Sequence, residues 1–395
     1  MKSITVCCVV VAAWALAALS LRAAPVAEMG AVVVKAGPLV EPFRRTGELR
    51  IGLLVENRGD REVELRLAAT AVRCADEKER VAYPERTVSL GPKFSGEKTV
   101  TVPAGALKEW SAQTPELYRL ELEITGAGQT ARAQARFGYR QLWVEEGRFL
   151  LNGKAVFLRG GNHNGRRTPE EMRLAKWANI NADTVRGGYA AIVGTLDLAD
   201  TAGHYNVWWV APDKREFLYQ SAATKDKREF LAGNHPSVVA YSYYGPVFMP
   251  APAGHPMQIG WVITPEQYEK EEACVHARAI QALDPTRIGC YYQRGLGAQF
   301  RSLMWDLSWG THAQEMEEWL SYWAGNRGKV EPFFAQEFAL MRMGSHMVNY
   351  DRHFGRACLV EQFARYIGDE AYRLAGEPDT IKSCRPGVRY PDNEV

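Results

Sequence analysis

"ADTVRGGYAAIVGTLDLADTAGHYNVWWVAP", residues 182–212, holds a strand, a helix and a second strand in succession. "ADTVRGG" reads as a strand closed by two glycines. "GTLDLADTAG" reads as a helix that stops near Gly203, and "HYNVWWVAP" as a strand stopped at Pro212. The same alternation extends in both directions. Upstream, "AVFLRGG" predicts a strand and "TPEEMRLAKWANI" a helix, with Thr168 as its cap, Pro169 in the first turn and Glu171 three residues after the cap. Downstream, "KREFLAGNHPSVVAYSYYG" predicts a helix end and then a strand, and "TPEQYEKEEACVHARAIQAL" a capped helix. "TRIGCYYQ" predicts a strand, "AQEMEEWLSYWAG" a helix and "PFFAQEFAL" a strand. Strands alternating with helices predict a parallel sheet covered by helices. About seven such strands approach the eight of a TIM (β/α)₈ barrel, expected over 141–395. Beyond Leu340 one helical stretch and a polar, Pro-rich tail offer no eighth strand. The barrel is therefore expected to be incomplete at its C-terminus, or the chain to be a truncated form of something longer.

Residues 28–140 follow a different rule. "AVVVKAG", "ELRIGLLVENRG", "EVELRLAATAVR", "KTVTVPAG" and "LYRLELEITGAG" are short, β-rich and punctuated by turn residues. They predict an all-β sandwich. "LLVENRGDREVELRL" reads as a hairpin turning at Asn57 to Asp60.

Before the sandwich, "MKSITVCCVVVAAWALAALSLRAAP" has one early lysine, an uncharged apolar stretch and then small residues. This is the layout of a secretory signal peptide over 1–24, and it predicts a secreted or periplasmic protein. An uncleaved membrane anchor is the alternative. Cys7 and Cys8 lie inside that stretch. Of the seven cysteines, the remaining five are an odd number without C-x-x-C spacing, which argues against a disulfide framework or a cysteine zinc site.

The chain is 46% apolar and 24% charged, with a net charge of +2. Charges of both signs are interspersed, giving no electrostatic reason for a nucleic-acid or stable membrane partner. There is no G-x-S-x-G, no H-E-x-x-H, no phosphate loop and no dinucleotide fingerprint, so no cofactor and no metal are expected. Oligomeric state is not legible in the sequence.

In a barrel the active residues stand at the C-terminal ends of the strands. Those ends carry Gly160 to Asn164, including Asn162 and His163, then Arg186 to Tyr189, then Trp208 and Trp209. After them come Tyr243 and Tyr244, Tyr291 and Tyr292, Trp305 and Asp306, and finally Gln336 and Glu337. An aromatic, amide-rich rim with one carboxylate, Glu337, and one arginine, Arg186, suits a neutral polyhydroxylated ligand. A functionless buried ion pair between Glu337 and Arg186 is the other reading. A strand-end carboxylate in a cleft favours function.

These residues, in order, resemble glycoside hydrolase family 2, the group of β-galactosidase, β-glucuronidase and β-mannosidase. "LKEWSAQTPELYRLELEI" (107–124) is similar to the end of that family's immunoglobulin-like domain. "FGYRQLWVEEGRFLLNGKAVFLRGGNHN" (137–164) is similar to its lead into the barrel. "LDLADTAGHYNVW" (196–208), "NHPSVVAYS" (234–242) and "LDPTR" (283–287) are similar to its third, fourth and fifth strand regions. In "PFFAQEFAL" (332–340) the family's nucleophile falls on Glu337. The resemblance implies a retaining glycosidase acting on β-linked glycans or glycosides. It implies that Arg186 keeps Glu337 ionised, and that Asn162 and His163 contact sugar hydroxyls, with Tyr244, Tyr292 and Trp305 lining the rim.

Two departures stand out. The family's leading jelly-roll domain has no counterpart before the sandwich. The fourth strand should end in Trp-Ser-x-Gly-Asn-Glu, whose glutamate is the acid/base. Here "YSYYGP" puts Gly245 and Pro246 at that place, and proline transfers no proton. Asp306 is the substitute acid favoured by position, with His163 the weaker one. The alternative function is a catalytically impaired, carbohydrate-binding relative.

Overall fold

The computed structural model describes residues 26–161, 167–210, 214–244, 279, 282–292, 301–302 and 333–334. The expected signal peptide and the tail after Leu340 lie outside the described residues. Among those described, no helix is long and apolar enough to cross a membrane.

The first part is an immunoglobulin-like sandwich. One sheet runs in the order β1 (Ala27–Met29), β2 (Val32–Phe43), β3 (Glu48–Asn57), β7 (Ser95–Pro103). The other runs β5 (Arg80–Ala82), β4 (Val63–Arg73), β8 (Tyr118–Gly126), β9 (Gln129–Phe137), with β6 (Arg86–Leu90) also on β4. Alternation decides what is buried. Leu49, Ile51, Leu53 and Val55 of β3 face Leu65, Leu67, Leu120, Leu122 and Ile124 of the second sheet in one core.

The hairpin expected across Asn57 to Asp60 does not form. β3 pairs with β2 and β7, whereas β4 pairs with β5, β6 and β8. The segment crosses between sheets instead. Asn57, fully buried, donates through Nδ2 to the carbonyls of Arg61, Leu90 and Gly91, and its Oδ1 accepts the Gly59 N–H at 3.0 Å. The turn is thus held by the end of β6 rather than by a cross-strand ladder.

A small antiparallel sheet follows: β10 (Leu142–Glu145), β11 (Arg148–Leu151) and β12 (Lys154–Ala155). Then β13 (Gly160–Gly161), β14 (Ala182–Arg186), β15 (Tyr205–Trp209), β18 (Val238–Tyr244) and β19 (Ile288–Tyr292) form a five-stranded parallel sheet in chain order. β20 (Arg301–Ser302) lies beside β19 and pairs in parallel with β21 (Phe333–Phe334). Any closure of this sheet involves residues outside those described.

Helix α1 (Pro169–Trp177) carries the expected capping box. The Glu171 N–H donates to Thr168 Oγ1 at 3.2 Å, and the Thr168 N–H donates to Glu171 Oε2 at 2.6 Å. Helix α2 (Tyr189–Ala202) starts earlier than expected and ends at Gly203, whose φ is +68°. A Cβ there would meet the Ala112 carbonyl oxygen at 2.5 Å, so the glycine is required twice over.

The expected helix end at 227–231 is instead a strand. β16 (Ser221–Ala223) and β17 (Glu229–Leu231) form a hairpin between β15 and β18. Phe230 and Leu231 pack with Ile192, Val193 and Leu196 of α2. Arg136 and Arg228 also stack near the Phe230 ring, at 4.5 and 5.8 Å from its centroid. This tertiary packing overrides the local helical tendency.

Three contacts join the sandwich to the parallel sheet. Arg215 bonds both carboxylates Glu41 and Glu97 from the sandwich, and also the Leu283 carbonyl at 2.6 Å. Asn234 exchanges bonds with β2, accepting from the Val40 N–H at 2.8 Å and donating to the Pro38 carbonyl at 2.9 Å. Arg140, 1% exposed, donates to the carbonyls of Pro236, Val238 and Thr286 at the start of β18 and β19. Its complete burial, with Arg287 nearby, pulls its guanidinium down to about 9.

Candidate functional site

The parallel strands end in a common row. Arg186 stands beside Trp209, Trp209 beside Ser242 and Ser242 beside Cys290. Two positions further on, Tyr244 stands beside Tyr292. Alternation separates the two faces of the sheet. Val185 and Trp208 pack on the helix side with Ile192 and Leu196. Ala182, Tyr205 and Val207 face the other way and pack with Leu142, Phe149 and Leu151 of the β10–β11 hairpin. That hairpin fills this face at the N-terminal ends of the strands. Arg186 and Trp209 share the same face at the C-terminal ends.

Both side chains are half-buried. The Arg186 guanidinium lies 3.3 Å from the centroid of the Trp209 ring. A planar, weakly hydrated cation stacks well on an indole face, and the stack fixes its plane. The planar N–H fork of an arginine is suited to recognising a carboxylate or a ring of hydroxyls.

The turn after Arg186 is unusual. Gly187 has φ +121°, which favours glycine, and Gly188 caps α2. Trp208 donates its indole N–H to the Gly187 carbonyl at 3.1 Å. Tyr189 opens α2, and its hydroxyl lies 2.8 Å from His235 Nε2. Burial pushes the Tyr189 phenol well above its ordinary range, so it is a proton-bearing donor. His235 Nδ1 lies 2.7 Å from Asp200 Oδ2, and the Ser237 N–H donates to Asp200 Oδ1 at 3.0 Å. Burial alone would raise the Asp200 carboxyl. Its pairing with His235, with Arg136 close by and the Ser237 N–H bonded to it, holds it below the usual range.

On the helix side of β14, Asp183 binds Arg167 through two nitrogens and accepts from His204 Nε2 at 2.9 Å. Arg167 directly precedes the cap of α1, so this pair ties the helix start to the sheet. Burial would raise Asp183, but Arg167 and then His204 keep it lowered.

Of the residues singled out from the sequence, Arg186 stands at the end of β14 as expected, and Tyr244 and Tyr292 occupy paired positions ending β18 and β19. Glu337, Asp306, Asn162, His163 and Trp305 lie outside the described residues. The sequence reading missed the Asp200–His235–Tyr189 chain. Asp200 and His235 fall in the visible motifs at 196–208 and 234–242, but nothing in either pointed to the other or to Tyr189.

No family model matches the chain. A β-galactosidase of Kluyveromyces lactis is 26% identical over an alignment of 281 residues that covers 62% of this chain and 26% of that protein. "Beta-galactosidase 2" of Enterobacter cloacae is 34% identical over an alignment of 97 residues that covers 21% of this chain and 9% of that protein. The β-galactosidase large subunit of Latilactobacillus sakei is 42% identical over 60 residues, 15% of this chain and 10% of that one. The crystal structure of a Bacteroides uniformis β-glucuronidase superposes with a TM-score of 0.49 at 18% identity, covering 72% of this chain and 37% of that one. The chain thus spans about a quarter of the length of the Kluyveromyces lactis relative, which it covers to 26%.

Proposed function

From the premise that the chain is related to glycoside hydrolase family 2, we propose that it is a secreted glycosidase hydrolysing O-glycosidic bonds of a β-linked glycan or glycoside. In this reading a signal peptide over 1–24 precedes a sandwich domain (28–140) and a TIM-barrel domain (141–395). The observation that carries it is the row of parallel strand ends in chain order, with Arg186 flattened on Trp209 on the face whose other end is plugged by the β10–β11 hairpin. Such a mouth is where barrel enzymes hold their substrates.

Glu337 is assigned the nucleophile's role, and Arg186 the role of keeping it ionised. Asn162 and His163 bind sugar hydroxyls, and Tyr244, Tyr292 and Trp305 supply the rim. Retaining hydrolysis needs a second carboxyl group about 5–5.5 Å from the nucleophile. Asp306 takes that part. A second reading, a binding protein with impaired catalysis, is favoured by Gly245 and Pro246 standing where the resemblance puts the acid/base glutamate. Loss of general-acid help costs about 10²–10⁴ in rate, and least for good leaving groups.

Turnover of aryl β-glycosides with activated leaving groups, wild type against Glu337→Gln, separates the two. Hydrolysis abolished by Glu337→Gln supports the enzyme. No turnover of any such glycoside, together with measurable glycan binding, leaves the binding protein.

A further inference from the structure

The sandwich reaches the strand-end arginine through buried side chains. Arg136, on β9, bonds Asp197 through one guanidinium nitrogen and Asp200 Oδ2 through another, the latter at 2.7 Å. Asp200 is the acceptor for His235 Nδ1–H, which leaves the Nε2 lone pair to accept the Tyr189 proton. Tyr189 packs against Trp208 with ring centroids 5.9 Å apart, and the Trp208 indole N–H donates to the Gly187 carbonyl. Asp200, His235 and Tyr189 are 1%, 1% and 4% exposed, so water does not compete for these bonds. Gly187 and Gly188 add no stiffness of their own to the turn. Its geometry must come from its neighbours.

We infer that Arg136, His235 and Tyr189 are positioning residues, a relay by which the sandwich fixes the 186–188 turn and so orients Arg186 at the strand ends. The catalytic consequence rests on the glycosidase reading; the geometric part stands without it. Misplacing a group at a reacting centre by about 1 Å can cost about 10²-fold in rate.

Tyr189→Phe is the mildest test, because it removes one hydroxyl and keeps the ring packed against Trp208 and edge-on to His235. With an activated aryl β-glycoside, kcat is expected to fall about tenfold while KM stays within about twofold. Arg136→Met should act in the same direction. Arg136→Lys, which keeps the charge but loses the two-pronged hold on Asp197 and Asp200, should fall between. Arg132→Ala, on the same strand but exposed, should leave kcat unchanged. Amide hydrogen exchange supplies a readout that needs no turnover. Peptides covering 186–190 should exchange about tenfold faster in Tyr189→Phe, while those from β4 and β8 stay as in wild type. Unchanged exchange at 186–190 overturns the inference, and so does a rise that is equal throughout the chain. If the wild type hydrolyses no glycoside, the catalytic reading fails and exchange alone decides.

Discussion

Asp200 accepts from Arg136, His235 and the Ser237 backbone while only 1% exposed. Its carboxyl is held below the value of an unfolded aspartate, about 3.9, against the upward push of burial. A lowered acid stabilises the fold above the unfolded value. That stabilisation is lost as pH falls through the folded-state value. Asp200→Asn should therefore cost about 3 kcal/mol near neutral pH, since it leaves Arg136 buried without one of its anions. The gap to wild type should narrow below about pH 4. Denaturant midpoints measured between pH 7 and pH 3 check this, and a gap constant across the range would refute it. At this scale the sequence showed where Arg186 would stand, because a strand followed by two glycines marks its own end. It did not show the Trp209 stack or the Asp200–His235 pair, because those partners meet only through strand register and the approach of a distant loop.

Helix α1 was legible in full, because its capping box is a local pattern in which Thr168 and Glu171 serve each other's backbone. The end of α2 was legible at Gly203, but only half its reason was. The positive φ is a local demand; the Ala112 carbonyl, 2.5 Å from where a Cβ would sit, belongs to the far end of the sandwich. Thr168→Ala should cost about 1 kcal/mol. Gly203→Ala should cost more, about 2–3 kcal/mol, by adding a backbone clash to the cost of the left-handed conformation. Thermal unfolding of the two variants compares them directly. Equal losses would mean that the approach of Ala112 carries no weight. The strands teach the same lesson. Alternation marked β3 and β4 as strands, but alternation does not name a partner. Asn57, bonded to the carbonyls of Leu90 and Gly91, sends β4 into the other sheet.

For the whole molecule, the succession of strand and helix gave the parallel sheet and its chain order, since each β–α step is a local pattern. The β16–β17 hairpin was hidden because Phe230 and Leu231 are held by α2 rather than by their sequence neighbours. What joins the parts was hidden too, being a matter of single long side chains. Arg215 is one such tie. It binds Glu41, 1% exposed, and Glu97, and Tyr219 adds its hydroxyl to Glu97 at 2.8 Å. Burial opposes the charge on Arg215, but its two carboxylate partners more than offset this and raise its affinity for the proton. Arg215→Met would leave both glutamates facing each other without a cation, at a cost of about 3–5 kcal/mol. Since the bond spans the junction, the loss should also weaken coupling, so that calorimetry shows the sandwich and the parallel sheet melting in separate steps. Adding Glu41→Gln and Glu97→Gln to Arg215→Met should restore much of the loss, because no stranded charge then remains. If the triple variant is as unstable as Arg215→Met alone, the cost lies in lost packing of the arginine stem and not in the unpaired carboxylates.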